Sequence, residues 1–537
     1  MRAERLTGHN VVHLIYPLRR KNTRISVYDD LKDNFEWEEI LSSEIQNNDQ
    51  HNNNIKYIFP ENYSTDEFDQ QGCTYRKWVD SKYFYSYFHP SVQKALFHKG
   101  KRLHVFRKKK VSSDIYEGDF YRGAQAESIE SIQFEWISSE IYVFSLDTAY
   151  LVVRVSLNEN VKLGINGEEV FDKPIQKLNV WMKFLNRIRQ NYSKYEGQER
   201  LVVRKKGTFN NHQHNDQKFF FHYVDEFIKN NSPNLVISSI SHEEITGPLA
   251  AYQCIEPNTY VHAFVQSDMA SKKWTQAELQ QMLYIDDSEG ESGKDNRFRA
   301  PFFEDHVYTR WAPDTYYTSI DYGSVTIANT DNYCYNTSTV KKYSFSDVLY
   351  QHHTRHYLFL ILLQYYYRDQ MQELLVQYSN LTDLTDKKES KKVLDSYYNL
   401  NQHFFFDRIT NEIQGMELWG FYQKIMGIKE LHTSVREDMK ELNQRIIENI
   451  GDRQNNDIQT LTVIAALTGM FGMNLIIPRA DDDYIFAFLL EVQWVKSIVG
   501  IMTGVFNGIT VIIIGWVLVK LFRHFGKWIQ RKLDSGE

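Results

Sequence analysis

The chain has 537 residues, 24% of them charged and 42% hydrophobic, with a net charge of −7; this excludes a mainly disordered chain, and nothing global calls for nucleic acid. A mean hydropathy of −0.51 excludes a bundle of many membrane spans, but not one or two, because a short apolar stretch is diluted in the average. The three cysteines, Cys73, Cys254 and Cys334, lie far apart and fit neither a disulfide framework nor a zinc spacing.

The first 20 residues lack the apolar core of a secretory signal, so the N-terminal bulk is expected to stay in the cytoplasm. Strands are predicted at 131–138, 141–146 and 148–156, separated by small polar connectors as in a meander. A helix follows near 174–192, with Pro174 at its start and Val180, Phe184 and Ile188 along one face. Further strand-like runs occupy 259–266 and 315–329, while the polar stretches 46–54 and 286–296 read as surface loops. Residues 1–345 are therefore expected to form an α+β or three-layer α/β sensor domain in the cytoplasm.

From about residue 346 the texture becomes helical, and few prolines and glycines leave room for long helices. The run 357–368 is apolar but too short to cross about 30 Å of hydrocarbon, so a buried helix is expected there. A second helical stretch starts near Val393 and runs to about 450. Its last part places Ile428, Leu431, Val435, Met439, Leu442, Ile446 and Ile450 about 3.67 residues apart, which suits either a core face or a straight packed stalk. Residues 346–457 are read as that stalk.

Two stretches near the C-terminus carry no charge, 458–477 and 497–519. At about 1.5 Å per residue each is long enough to cross a bilayer. They predict a membrane hairpin over 458–522, with an outer loop 478–496 bearing Asp481, Asp482 and Asp483. The tail 523–537 is basic, and the positive-inside rule puts it and the N-terminal bulk on the cytoplasmic side of the inner membrane.

The motif Thr468-Gly469-Met470-Phe471-Gly472-Met473-Asn474 closes the first of these stretches. An Asn in a membrane helix is costly unless it meets a cavity or a partner helix. A ring of such amide oxygens suits Mg²⁺, which sheds its waters reluctantly. This hairpin resembles the CorA superfamily of divalent-cation channels, specifically at 468–474, with support from QTLT at 459–462, over roughly the last 120 residues. The Pro-Leu-Thr turn and the usual outer-loop sequence of that family are missing here.

The resemblance implies a funnel-shaped homopentamer whose stalk helices line one pore for Mg²⁺ or a related divalent ion. By position, Gly472, Met473 and Asn474 take the selectivity-filter role. Gln454, Asp457 and Leu461 fall at the pore mouth and gate. The acidic loop departs from the family, and its charge either concentrates cations outside or is simply solvated. Gly500, Gly504 and Gly508 form a small-residue face for close helix packing. The family also implies a second reading. Some CorA-like proteins accompany type III CRISPR systems as membrane effectors in antiviral defence, triggered by nucleotide second messengers such as adenylated S-adenosylmethionine. The oversized first domain fits that branch, though its ligand-binding residues are unknown.

Other clusters are weaker. His212, His214 and His222 complete no metal spacing, and neither do His352 and His356, which share a helix face. Gly293-Lys294 lacks the rest of a phosphate loop. Arg107 to Lys110 and Arg204 to Lys206 read as solvated strand edges, with a phosphate contact as the alternative. No catalytic constellation is found, so an enzyme is not expected.

Overall fold

In the computed structural model the described residues are 10–20, 26–39, 87–96, 102–109, 114–121, 130–144, 148–157, 178–191, 200–206, 218–237, 259–267, 274–285, 303–310, 315–329, 334–336, 342–344, 349–350, 352–381, 387–476 and 516. They fall into two compact units, one of residues 1–382 and 391–439 and one of residues 383–390 and 440–537.

The first unit is organised by a mixed sheet of twelve strands. In chain order these are β1 (Val11–Arg20), β2 (Trp37–Glu39), β3 (Leu103–Lys108), β4 (Asp114–Tyr121), β5 (Glu130–Phe144), β6 (Thr148–Leu157), β7 (Arg200–Lys205), β8 (Leu235–Ile237), β9 (Tyr260–Ser267), β10 (Val307–Tyr308), β11 (Thr315–Ile320) and β12 (Gly323–Asn329). The main path runs β10-β11-β12-β9-β1-β6-β5-β3-β2, with β4 and β7 added on β5 and β8 on β1. Only β12 and β9 run parallel; the other pairs are antiparallel. Where the sequence predicts two strands at 131–138 and 141–146, one strand runs through. A register shift between Trp136 and Ser138 absorbs the irregularity, and Glu140 in the supposed connector pairs with Arg107 of β3.

Side chains alternate along each strand, so the sheet has two different faces. On one, Val12, Leu14 and Tyr16 of β1 join Leu151, Val153 and Val155 of β6 and Val261, Ala263 and Val265 of β9. Against them pack Trp181, Phe184 and Ile188 of α3 (Leu178–Ile188) and Phe220, Val224 and Ile228 of α4 (Phe220–Asn231); α1 (Val27–Asp33), α2 (Pro90–Leu96) and α5 (Gln276–Tyr284) complete the shorter helices. The opposite face meets a π-helical turn, His353–Tyr357, which leads into α6 (Leu358–Ser379). Tyr365 of α6 lies edge-on to Tyr150 and Tyr260 of the sheet, and Tyr150 donates its hydroxyl to Asp369 at 2.7 Å. The run 357–368 is thus a buried helix.

The helices that follow are α7 (Lys387–Phe404), α8 (Ile413–Ile425) and α9 (Ile428–Ile476). Gly427, at φ 61°, supplies the left-handed residue that ends α8, and its N–H bonds back to Lys424. The periodic seam opens α9: Ile428, Val435, Met439 and Leu442 are buried.

The fold expected from the sequence is corrected here. Among the described residues no helix is long and apolar enough to cross a membrane, and there is no two-helix hairpin. Residues 458–476 are the end of the 49-residue α9 rather than a separate span. The stretch 497–519 lies outside the described residues apart from Trp516. The inner-membrane location and the reading as a membrane protein with transmembrane helices rested on those two spans, and among the described residues no helix supports them.

Candidate functional site

The second face of the sheet carries a row of polar side chains through its middle. Strand register sets Ser319 of β11 opposite Ser324 of β12, Ser324 beside His262 of β9, His262 opposite His13 of β1, His13 opposite Arg154 of β6, and Arg154 opposite Ser138 of β5. All six are buried. Buried polar groups persist where they find hydrogen-bond partners, and the histidines of this row do. Nδ1 of His13 lies 3.2 Å from the carbonyl oxygen of His262, so it donates, leaving Nε2 to accept from Arg154 Nε–H at 3.1 Å. In the same way Nε2 of His262 donates to the carbonyl oxygen of His353 at 3.2 Å, and its Nδ1 accepts from the Ser324 hydroxyl at 2.7 Å.

His353, at the start of the π-helical turn, closes the cluster. Its ring stacks on that of His262, with centroids 3.6 Å apart and planes 10° from parallel, and its Nδ1 lies 3.1 Å from Thr326 Oγ1. Its Nε2 is buried and has no hydrogen-bond partner among the described residues. Burial holds all three imidazoles in the neutral form: His262 is pushed down to about 3, and His13 and His353 lie well below the usual histidine value. The Arg154 guanidinium lowers His13 and His353 further.

Three neutral imidazoles with one nitrogen each inside 4.8 Å are the donor set of a transition-metal site, and backbone carbonyls that fix the tautomers are its usual surroundings. The ring geometry does not fit. A metal lies in the plane of each imidazole it binds, about 2.0–2.1 Å from the nitrogen. The His262 and His353 rings are stacked face to face, so their lone pairs cannot converge on one ion. Arg154 also occupies the His13 lone pair with a positive group. The arrangement is a neutral hydrogen-bonded stack beside a buried cation.

No family model matches this chain, and no curated protein matches it.

The residues singled out from the sequence stand elsewhere. Gln454, Asp457 and Leu461 are exposed on α9, Leu461 at 63%. Gly472, Met473 and Asn474 lie in the last turns of the same helix. Asp481, Asp482, Asp483, Gly500, Gly504 and Gly508 lie outside the described residues. The basic runs meet carboxylates: Arg107 bonds Glu140, Lys108 bonds Glu36, Arg204 bonds Glu117 and Lys205 bonds Asp114. His222 is exposed on α4, and His212 and His214 lie outside the described residues. His352 is half-buried just before the π-helical turn and His356 is buried within it, its ring packed 4.1 Å from Tyr87. Burial pushes His352 down to about 4 and His356 well below the ordinary range.

His13, Arg154, His262 and Ser324 are not among the residues that motif and spacing single out. A signal for them exists. Each of the first three is a lone polar residue in an otherwise apolar strand run, VVHLIY, LVVRV and YVHAFV, and so continuous an apolar run marks a strand buried on both faces.

Proposed function

We propose that this chain is a signal-responsive effector, in which the sheet-built unit senses a nucleotide second messenger and α9 carries the response. One observation supports it above the others. A single uninterrupted helix of 49 residues opens with side chains buried in the first unit, Ile428, Val435 and Met439, and continues with residues of the second. A ligand that changes how those first turns pack biases an element shared by both units.

The resemblance over 459–474 falls within the same helix, and the CRISPR-associated branch of that family suggests both the messenger class and a defence role. A homo-oligomer, pentameric by the same resemblance, belongs to this reading. Ion conduction is not part of it, since that role needs the hairpin corrected above, and a divalent cation as cargo goes with it.

Calorimetry on the full chain tests the reading, with adenylated S-adenosylmethionine and a panel of cyclic nucleotides as titrants. Saturable binding is expected, together with altered amide exchange over 428–442. If none of these nucleotides binds, the sensor reading fails.

A further inference from the structure

Arg154 is only 4% exposed, and its one hydrogen bond among the described residues is the Nε–H donated to His13. Among the described residues no carboxylate lies within ion-pairing distance of it. Glu140, on the neighbouring strand β5, is already engaged. Arg107 holds it through both Nε and Nη2, and the Tyr142 hydroxyl donates to it at 3.0 Å. This end of the row therefore sets two guanidinium groups, Arg107 and Arg154, about one carboxylate, Glu140, with the neutral imidazoles on the far side of Arg154. A buried charge of this kind is strongly unfavourable unless something pairs with it. An arginine also presents its paired Nη groups in a fork that matches carboxylate and phosphate oxygens.

Two further features point the same way. Nε2 of His353 is a buried nitrogen without a hydrogen-bond partner among the described residues, in the cluster that Arg154 joins through His13. The segment that carries it is a π-helical turn, a form of helix that is rare and concentrated at functional sites. The His353 carbonyl and ring hold that turn to the row through His262 and Thr326.

We propose that Arg154 anchors an anion site, taking a phosphate or carboxylate group of a small molecule on its Nη groups, with His353 Nε2–H as the second donor. The site is the missing half of an ion pair in the middle of the sheet. That the anion is a nucleotide's phosphate rests on the sensor reading; the anion site itself does not.

Thermal unfolding of the full chain tests it, with inorganic phosphate, AMP and succinate as probes at matched ionic strength. In the native chain phosphate and AMP, or succinate, raise Tm by about 2 °C or more, and which probe acts tells phosphate from carboxylate. Arg154→Gln keeps a donor for His13 and removes the charge. Its Tm without added anion is expected to equal or exceed that of the native chain, and the anion-induced rise is lost. Arg154→Lys keeps the charge without the fork and retains a weakened rise. The proposal is overturned if no probe shifts the native chain, if Arg154→Gln keeps the shift, or if Arg154→Gln alone lowers Tm by several degrees. Failure of the two readings is distinguishable. Phosphate binding that depends on Arg154, with no nucleotide messenger bound, sinks the sensor reading alone; messenger binding that ignores Arg154 sinks this one alone.

Discussion

The two faces of one sheet are stabilised in opposite ways. On the first, Leu14, Val153 and Ala263 meet Trp181 and Phe184, and burial of apolar surface is sufficient without any requirement of direction. On the second, one residue further along the same strands, His13, Arg154 and His262 meet His353, and each hydrogen bond needs its partner at a set distance and in one tautomer. An apolar layer tolerates small rearrangements. A buried polar chain is worth having only when complete, since each orphaned group costs about 1–3 kcal/mol. The difference marks the second face as the one that a ligand or a proton can change.

Acid should break the comparison most. His13, His262, His352, His353 and His356 all have folded values lowered by burial. Their contribution is therefore present above the unfolded value of 6.5 and is lost as pH falls below it. For His262, lowered to about 3, the loss is about 1.4 kcal/mol per pH unit below 6.5. The other four shift in the same direction, so their losses add to it. Denaturant unfolding followed from pH 7.5 to 5 should show stability falling steeply below 6.5. His262→Gln should reduce the slope by about one proton. A flat profile over this range would mean that the second face does not hold its histidines neutral.

The first face should respond in size but not in pH. Trp181 is fully buried on α3 beside Phe184. Trp181→Ala removes its surface and leaves a cavity, at a cost of about 3–5 kcal/mol. The same denaturant series measures it, and the difference from the native chain should stay constant between pH 7.5 and 5.5. A cost that grew with acidity would show that the two faces are not independent.

How far the sequence reveals these faces depends on which rule is applied. The apolar runs at 148–156 and 259–266 mark β6 and β9, β1 is not among the predicted strands, and the apolar stripe Val180, Phe184, Ile188 marks α3 with the buried face that the structure gives it. The polar row is less visible, because its partners are 249 residues apart in the case of His13 and His262 and 141 in the case of Arg154 and His13. Only strand register brings them together, and register between distant strands is not written in either strand alone. Helical spacing picks out His352 and His356, whereas it is His353 between them that meets the sheet. The membrane spans illustrate the opposite error. The uncharged run at 458–477 reads as a separate span, whereas 458–476 continue the 49-residue α9, whose earlier turns are polar.

The smallest expected effect is the most discriminating test of what the polar face is. Three buried histidines with neutral rings look like a zinc site, and a real one would stabilise the fold strongly, since metal binding free energy is folding free energy. The parallel stacking of His262 on His353 forbids convergence on one ion, and Arg154 places a cation where the ligand lone pair of His13 would have to point. To bind zinc, the cluster would have to turn one ring out of its stack and break the His13–Arg154 and His262–Ser324 hydrogen bonds together. Stoichiometric zinc added to chelator-treated protein should therefore move Tm by less than about 1 °C. A rise of several degrees that disappears in His262→Gln would show that the rings do rearrange. The second face would then be a metal centre, and the buried arginine would need a different partner.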